Sequence, residues 1–409
     1  MLNMELKILK HFKGKRCFTI FIVLIFLFIH IVLFLWTTLL DPTNCSNLEA
    51  TQKHTHKQGI LDCLVNGTWT PIEEITINDK EKLQEFLHAA QTEHKIPMKQ
   101  RADNRCGNVS VNDQSDFRAL CDPGSSTPCC HSNRCVDKVP EKCTCDDCFD
   151  IRQKQHAEFL TWQPRNKNCL IRKYHQKDAC KVLNDLKIGQ ISIIGDSLQR
   201  NLYSVLMMVL SGNDKYAVTR SDLPQEIKER CAGMMHFSDH PCNTIYLRSS
   251  GLVCNNTVQL NYNCVHEVSI ISLTIWQIFK MWWTQSYYGR SLMILSIGMH
   301  ENFDYKTVIS HYINPIKNIL NLFSASYWSE VLWVTPHSPG ILKPPKFKSQ
   351  QKDPVLRYIA STGKILDASG ITVLNTQDLT ESVFSWDGTH YGVGLNEMLL
   401  NIVFSYLEK

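Results

Sequence analysis

At 409 residues the chain is too long for one small domain and short for three. Its 44% apolar and 20% charged residues can build a large core, which excludes wholesale disorder. The net charge of +4 is carried before residue 17, by Lys7, Lys10, Lys13, Lys15 and Arg16 against Glu5. The remainder is near neutral and shows no basic face, so a nucleic-acid partner is not expected. Seventeen cysteines exceed what a reducing cytosol tolerates in structural roles.

Residues 1–16 form a basic cytosolic tail in this reading, and residues 17–36 a membrane anchor. Phe18 to Trp36 is apolar except for Thr19 and His30. At ~1.5 Å per residue it reaches about 28 Å, close to the bilayer core. A cleaved leader would have a shorter apolar stretch ending in small residues. This one ends in Leu35 and Trp36, so an uncleaved single-span signal anchor is expected. The basic tail holds the N-terminus in the cytosol and places the rest in the secretory lumen, as a type II protein. Asn44, Asn66, Asn108 and Asn255 each begin an N-x-S/T triplet beyond the anchor, as luminal glycosylation requires. Cys17 sits at the cytosolic boundary, and setting it aside leaves an even number of cysteines suited to disulfides. The chain ends Tyr406-Leu407-Glu408-Lys409, without an ER-retrieval tetrapeptide. A short tail and one span suit a Golgi membrane enzyme with a luminal catalytic domain, with the cell surface or secretion as the alternative.

Residues 37–105 are polar and mixed, with one helical candidate near Glu81 to His94, and read as a stem. Residues 106–150 hold Cys106, Cys121, Cys129, Cys130, Cys135, Cys143, Cys145 and Cys148 among Gly, Pro, Ser and Asp, a composition with little apolar core. A small cross-linked module follows. Spacing alone would admit zinc at Cys143, Cys145 and Cys148, but an oxidising lumen favours disulfides, so no metal is expected.

From about His156 the pattern is α/β. Buried-strand candidates are 189–194, 291–297, 330–335 and 370–375, and helical spacing runs from Leu198 to Val209 and over 305–323, 354–368 and 396–407. Strands separated by helices predict a mostly parallel sheet covered on both faces. Residues 211–290 are least regular and read as an insertion pinned by Cys231, Cys242, Cys254 and Cys264. The run Trp276, Phe279, Trp282, Trp283, Tyr287 and Tyr288 reads as a buried helix or hairpin, with a sugar-stacking platform as the alternative.

Ile194-Gly195-Asp196-Ser197 carries a strand directly into a helix. It sets a hydroxyl at the carboxyl end of a strand, where open α/β sheets keep their ligands, with its amide at a helix N-terminus. A plain helix cap is the alternative. Trp386-Asp387-Gly388-Thr389-His390-Tyr391 precedes the last helix. Asp387 can reach the near nitrogen of His390, leaving the far one to take a proton from Ser197. No G-x-S-x-G elbow is present, which disfavours an α/β-hydrolase.

With these motifs, GDSLQRN and DGTHY, together with Trp162-Gln163-Pro164 and Val334-Thr335-Pro336-His337-Ser338-Pro339, the chain resembles the PC-esterase family of the GDSL/SGNH superfamily over residues 155–409. That family includes trichome-birefringence-like polysaccharide O-acetyltransferases, the luminal domain of a sialate O-acetyltransferase and neurexophilin-and-PC-esterase proteins. The resemblance implies an SGNH-hydrolase-like fold with Ser197 as nucleophile and Asp387 and His390 completing the triad. It implies transfer of an acetyl group to hydroxyls of a glycan or polysaccharide. The alternatives are a carbohydrate acetyl esterase and a non-catalytic extracellular glycoprotein. No cofactor is expected beyond the acetyl donor as co-substrate. If the donor derives from cytosolic acetyl-CoA, one span provides no channel and an acetyl-carrier partner is needed. The superfamily's Gly-x-Asn-Asp block is missing. In its place Gly298 offers a backbone N–H, His300 or Asn302 a side-chain donor, and Gly251 a further backbone N–H. Arg200 holds a carboxylate or orients the loop.

Overall fold

The computed structural model describes residues 44–95, 100–111, 117–265, 290–322 and 330–409. The expected anchor over 17–36 and the aromatic run from Trp276 to Tyr288 lie outside them. Among the described residues no helix is long and apolar enough to cross a membrane.

In chain order come α1 (Asn44–Val65), β1 (Gly67–Pro71), α2 (Ile77–His94), β2 (Cys129–His131), β3 (Arg134–Val136), β4 (Leu160–Pro164), α3 (Gln176–Asp185) and β5 (Ile188–Gly195). They are followed by α4 (Ser197–Ser211), β6 (Ser250–Val253), β7 (Val258–Cys264), β8 (Arg290–Leu295), α5 (Asn314–Leu322), β9 (Glu330–Val334), α6 (Lys352–Asp367), β10 (Thr372–Leu374) and α7 (Val393–Leu407). Six strands form one sheet in the order β10-β9-β8-β5-β7-β6. Every pairing is parallel except β6 with β7. This is the mixed α/β architecture expected, and the four expected strands are β5, β8, β9 and β10.

Strand side chains alternate faces, and the sheet separates two cores on that basis. Ile191, Ile193, Leu292, Ile294, Leu332 and Val334 face the cluster that also holds Leu202 and Leu206 of α4 and Leu399 and Val403 of α7. Ile194, Met293, Leu295 and Trp333 face the other, with Ile316 of α5 and Tyr358 of α6. All eight residues of β5 are buried, as the central position requires.

Several expectations need correction. The helix expected over 305–323 contains a π segment at Ile309–Ile313 directly before α5. Pro315 follows it and has no N–H to give His311, so a regular turn could not close there. The described part of the expected insertion, residues 211–265, is not separate from the sheet, since β6 and β7 extend it. Cys231 pairs with Cys242, but Cys254 pairs back to Cys180 on α3, and Cys264 ends β7.

The stem is also revised. Residues 54–409 form one compact unit. β1 pairs antiparallel with β4, Cys63 is bonded to Cys169, and Leu61, Leu64, Leu83 and Phe86 are buried in the same cluster as the sheet. Only scattered apolar residues in polar helices carry this packing, which is why composition hid it.

In the cysteine-rich segment the pairs are Cys106–Cys130, Cys121–Cys135, Cys129–Cys143 and Cys145–Cys148. β2 and β3 form a hairpin whose turn residues Ser132 and Asn133 both have positive φ, matching the strand twist. The segment is fastened to the main body by Arg118, whose amide donates to Leu342 O at 3.0 Å and whose guanidinium reaches Gln351 Oε1 at 2.8 Å.

Candidate active site

β5 delivers the chain to a tight turn beside β8. Ser296 N donates to Ile194 O at 3.1 Å, so the β8 extension runs alongside the end of β5. A Cβ on Gly195 would lie 2.2 Å from Ser296 O, so no larger residue fits without moving the backbone. Asp196 then caps α4, its Oδ1 accepting from Leu198 N at 3.0 Å. The cap is therefore Asp196, and the Ser197 hydroxyl is released for another partner. Asp196 is buried, and that burial pushes its carboxyl up against the opposing pull of His300, His390 and Arg200.

That other partner is His390, whose Nε2 lies 2.7 Å from Ser197 Oγ. Its Nδ1 lies 2.6 Å from Asp387 Oδ2. The other carboxylate oxygen accepts from Thr389 N at 2.8 Å and from His390 N at 2.6 Å. Gly388 takes φ +83° to turn the chain between them. Burial works against ionising Asp387, but the imidazole and the two amides outweigh it and hold the carboxyl at about 2. An ionised Asp387 can only accept, so Nδ1 carries the proton and Nε2 offers a lone pair to the Ser197 hydroxyl. Trp386 stacks on His390, with ring centroids 5.6 Å apart and planes 20° from parallel. Trp386 N and Ser385 Oγ both donate to His390 O, closing the loop.

The structure thus brings Ser197, Asp387 and His390 together from two ends of the sequence. It treats the remaining expected residues unequally. Gly298 stands two residues beyond Ser296, at φ +145°, where a Cβ would lie 2.8 Å from the Tyr358 ring. The Tyr358 hydroxyl donates to Ile297 O at 2.5 Å and fixes this turn beside the end of β5. His300 is exposed and lies close enough to Asp196 to offset part of the effect of its burial. Asn302 is exposed at φ +52°, and its Oδ1 accepts from Ser349 Oγ at 3.1 Å.

Gly251 is corrected outright. It lies in the edge strand β6 opposite Leu260, which in turn pairs with Ile191. That is two strands across and four residues down from Gly195, on the order of 10 Å in each direction, so its amide does not reach Ser197. Arg200 lies one helical turn after Ser197 and acts on Asp196, His236 and Tyr262, and its Nε is buried without a hydrogen-bond partner among the described residues.

Around the triad, His337 is buried, with Nδ1 3.0 Å from Thr376 Oγ1, and burial followed by repulsion from His390 brings it down to about 3. Lys343 is 6% exposed and donates from Nζ to Thr389 Oγ1 at 2.7 Å. Sequence reasoning missed Lys343 and the capping role of Asp196. The cap was visible as an Asp before a helix, whereas Lys343 stands in a loop with no local signal.

Asn66, Asn108 and Asn255 are exposed, as glycan attachment requires, while the side chain of Asn44 is outside the described residues. Among the described residues the cysteines that cluster closely enough to hold a metal are all joined as disulfides. No protein-family model, curated protein or solved structure matches the chain.

Proposed function

We propose that this chain is an acyl-serine enzyme that transfers an acetyl group to glycan hydroxyls in the secretory lumen. The observation that supports it is the continuous chain from Asp387 through His390 to Ser197, with links of 2.6 and 2.7 Å. Seven disulfides among the described residues support an oxidising compartment. The motif likeness to PC-esterases supports acetyl and glycan as the substrate classes, and the apolar stretch from Phe18 to Trp36 behind a basic tail, read as a type II anchor, supports a Golgi membrane setting.

In this reading Ser197 Oγ attacks the donor carbonyl while His390 Nε2 takes its proton. Charge develops on the carbonyl oxygen beside the Ser197 amide at the start of α4, where the helix dipole favours it. Gly298 N is the second donor proposed. The imidazolium then protonates the leaving group, and the acetyl group stays on Ser197. A glycan hydroxyl gives its proton to His390, attacks the acyl-serine and leaves as the ester, regenerating the serine. Water in that step would make the product free acetate.

The test uses the full-length protein and a reactive acetyl ester. Intact-mass measurement should show one acetyl group on Ser197, and none in Ser197→Ala. Adding glycan acceptors should speed turnover and yield acetylated sugar. Release of acetate alone would make it an esterase, and no adduct would make it a binding protein.

A further inference from the structure

The Asp387–His390 loop has a second support besides its own hydrogen bonds. A Cβ on Gly388 would lie 2.2 Å from Lys343 N, so the two backbones touch. Gly340 N donates to Gly388 O at 3.0 Å, and Lys343 N closes a turn onto Gly340 O at 2.9 Å. The neighbouring Leu342 O is held by Arg118 N of the cysteine-rich segment. From this braced turn the Lys343 side chain runs inward, 5.2 Å from the Phe347 ring centroid, and its ammonium ends on Thr389 Oγ1. Thr389 in turn donates its amide to Asp387 Oδ1. Lys343, Thr389, Gly388, His337 and Leu198 line one shallow depression, so this buried cation shares it with the residue that follows Ser197.

A lysine is among the costliest side chains to bury, and a loop brace could be built from apolar residues. What an ammonium adds is a charge-assisted bond and a positive field at a buried carboxylate. We propose that Lys343 is a positioning residue of the triad, anchoring Thr389 so that the 387–390 loop presents Asp387 to His390. Its catalytic consequence rests on the acyl-serine reading above, whereas the anchoring does not. The charged or titratable groups facing Lys343 are Asp387, His337 across the depression, and Lys346 near the same Phe347 ring. Burial brings the ammonium down to about 8, against the pull of Asp387. The anchor is therefore charged at neutral pH and weakens as the pH rises through that value.

The experiment compares the full chain with Lys343→Met, which keeps the volume and removes the charge, and Thr389→Val, which removes the acceptor. Hydrogen exchange is followed on the peptide covering 384–392, and Ser197 labelling by a fluorophosphonate is followed against pH. Both variants should exchange the Thr389 and His390 amides at least tenfold faster. Both should label at least tenfold more slowly near pH 7, and the parent's decline in labelling above pH 8 should be missing from Lys343→Met. Global melting of Lys343→Met should be no lower than the parent's, which separates local anchoring from lost stability. Unchanged exchange in both variants overturns the proposal whether or not Ser197 is ever labelled. Superposable labelling profiles overturn its catalytic part. Faster exchange with an unlabelled parent leaves the anchor standing and sinks the acyl-serine reading.

Discussion

Asp387 holds His390 by both ends of its carboxylate: Oδ1 accepts the backbone amide and Oδ2 faces ring Nδ1, each at 2.6 Å. Position and tautomer of the imidazole are therefore set by one side chain. Asp387→Asn keeps the volume but can present an amide N–H to Nδ1, which turns the lone pair away from Ser197. Labelling of Ser197 should fall by about two to four orders of magnitude, with melting changed far less. Labelling within tenfold of the parent would remove Asp387 from the mechanism.

The same carboxylate links stability to acid. With Asp387 at about 2 against an ordinary value of 3.8, the unfolded chain takes up the proton first as pH falls. Its contribution, on the order of 2 kcal/mol, is complete above about pH 4 and disappears as the pH falls through about 2. Denaturant titration of the parent and Asp387→Asn should give stabilities that draw together as the pH falls from about 4 to about 2. A gap unchanged down to pH 2 would contradict the assignment.

Gly388 tests the loop without touching a functional side chain. At φ +83° an alanine is strained, and its methyl would meet Lys343 N at 2.2 Å. Gly388→Ala should lose roughly 2–4 kcal/mol of stability and nearly all Ser197 labelling. Gly363, on α6 with open space around its Cβ position, is the control. Gly363→Ala should be neutral or slightly stabilising on the same melting curve.

What could be read from sequence follows how strongly each segment is buried. β5, β8 and β9 are covered on both faces and stand out as apolar runs, while α4 and α7 show helical spacing. β7 hid because it is half-covered: Val258, Leu260 and Tyr262 are buried, whereas Gln259, Asn261 and Asn263 are only partly so. That alternation is a strand signal, but between Cys254 and Cys264 it is equally compatible with a cross-linked loop. The triad was legible because its members sit at an abrupt strand-to-helix turn and directly before the last helix. The donors for the oxyanion were not, because they depend on how far apart strands lie in the sheet, and Gly251 failed on that account. The stem failed because burial of α2 rests on Leu83, Phe86 and Ala90 alone among polar neighbours.

The packing of α1 and α2 makes a direct prediction about truncation. Leu61, Leu64, Leu83 and Phe86 are each 2% exposed or less. Their burial is worth roughly 6–12 kcal/mol, comparable with the whole stability of an ordinary domain. A chain starting at residue 54 should melt cooperatively by circular dichroism, whereas one starting at residue 96 should be retained in the cell or aggregate. A folded, equally stable product from the shorter chain would restore the stem as a separate segment.

Phe86 also connects that region to the chemistry. Its ring meets Trp386 edge-on, with centroids 6.4 Å apart and planes at 85°, and Trp386 stacks on His390. The aromatic path runs from α2 to His390 without passing through the sheet. Phe86→Ala opens a cavity behind Trp386 and should cost about 3–5 kcal/mol. Because Trp386 then loses its backing, His390 should be held less firmly, and Ser197 labelling should slow by about tenfold even at temperatures where the variant is fully folded. Phe86→Leu fills most of the volume and should recover much of both losses. Labelling kinetics measured well below each variant's melting temperature separate the two effects: a Phe86→Ala protein that is less stable but labels at the parent's rate would show that α2 supports the fold and not the site.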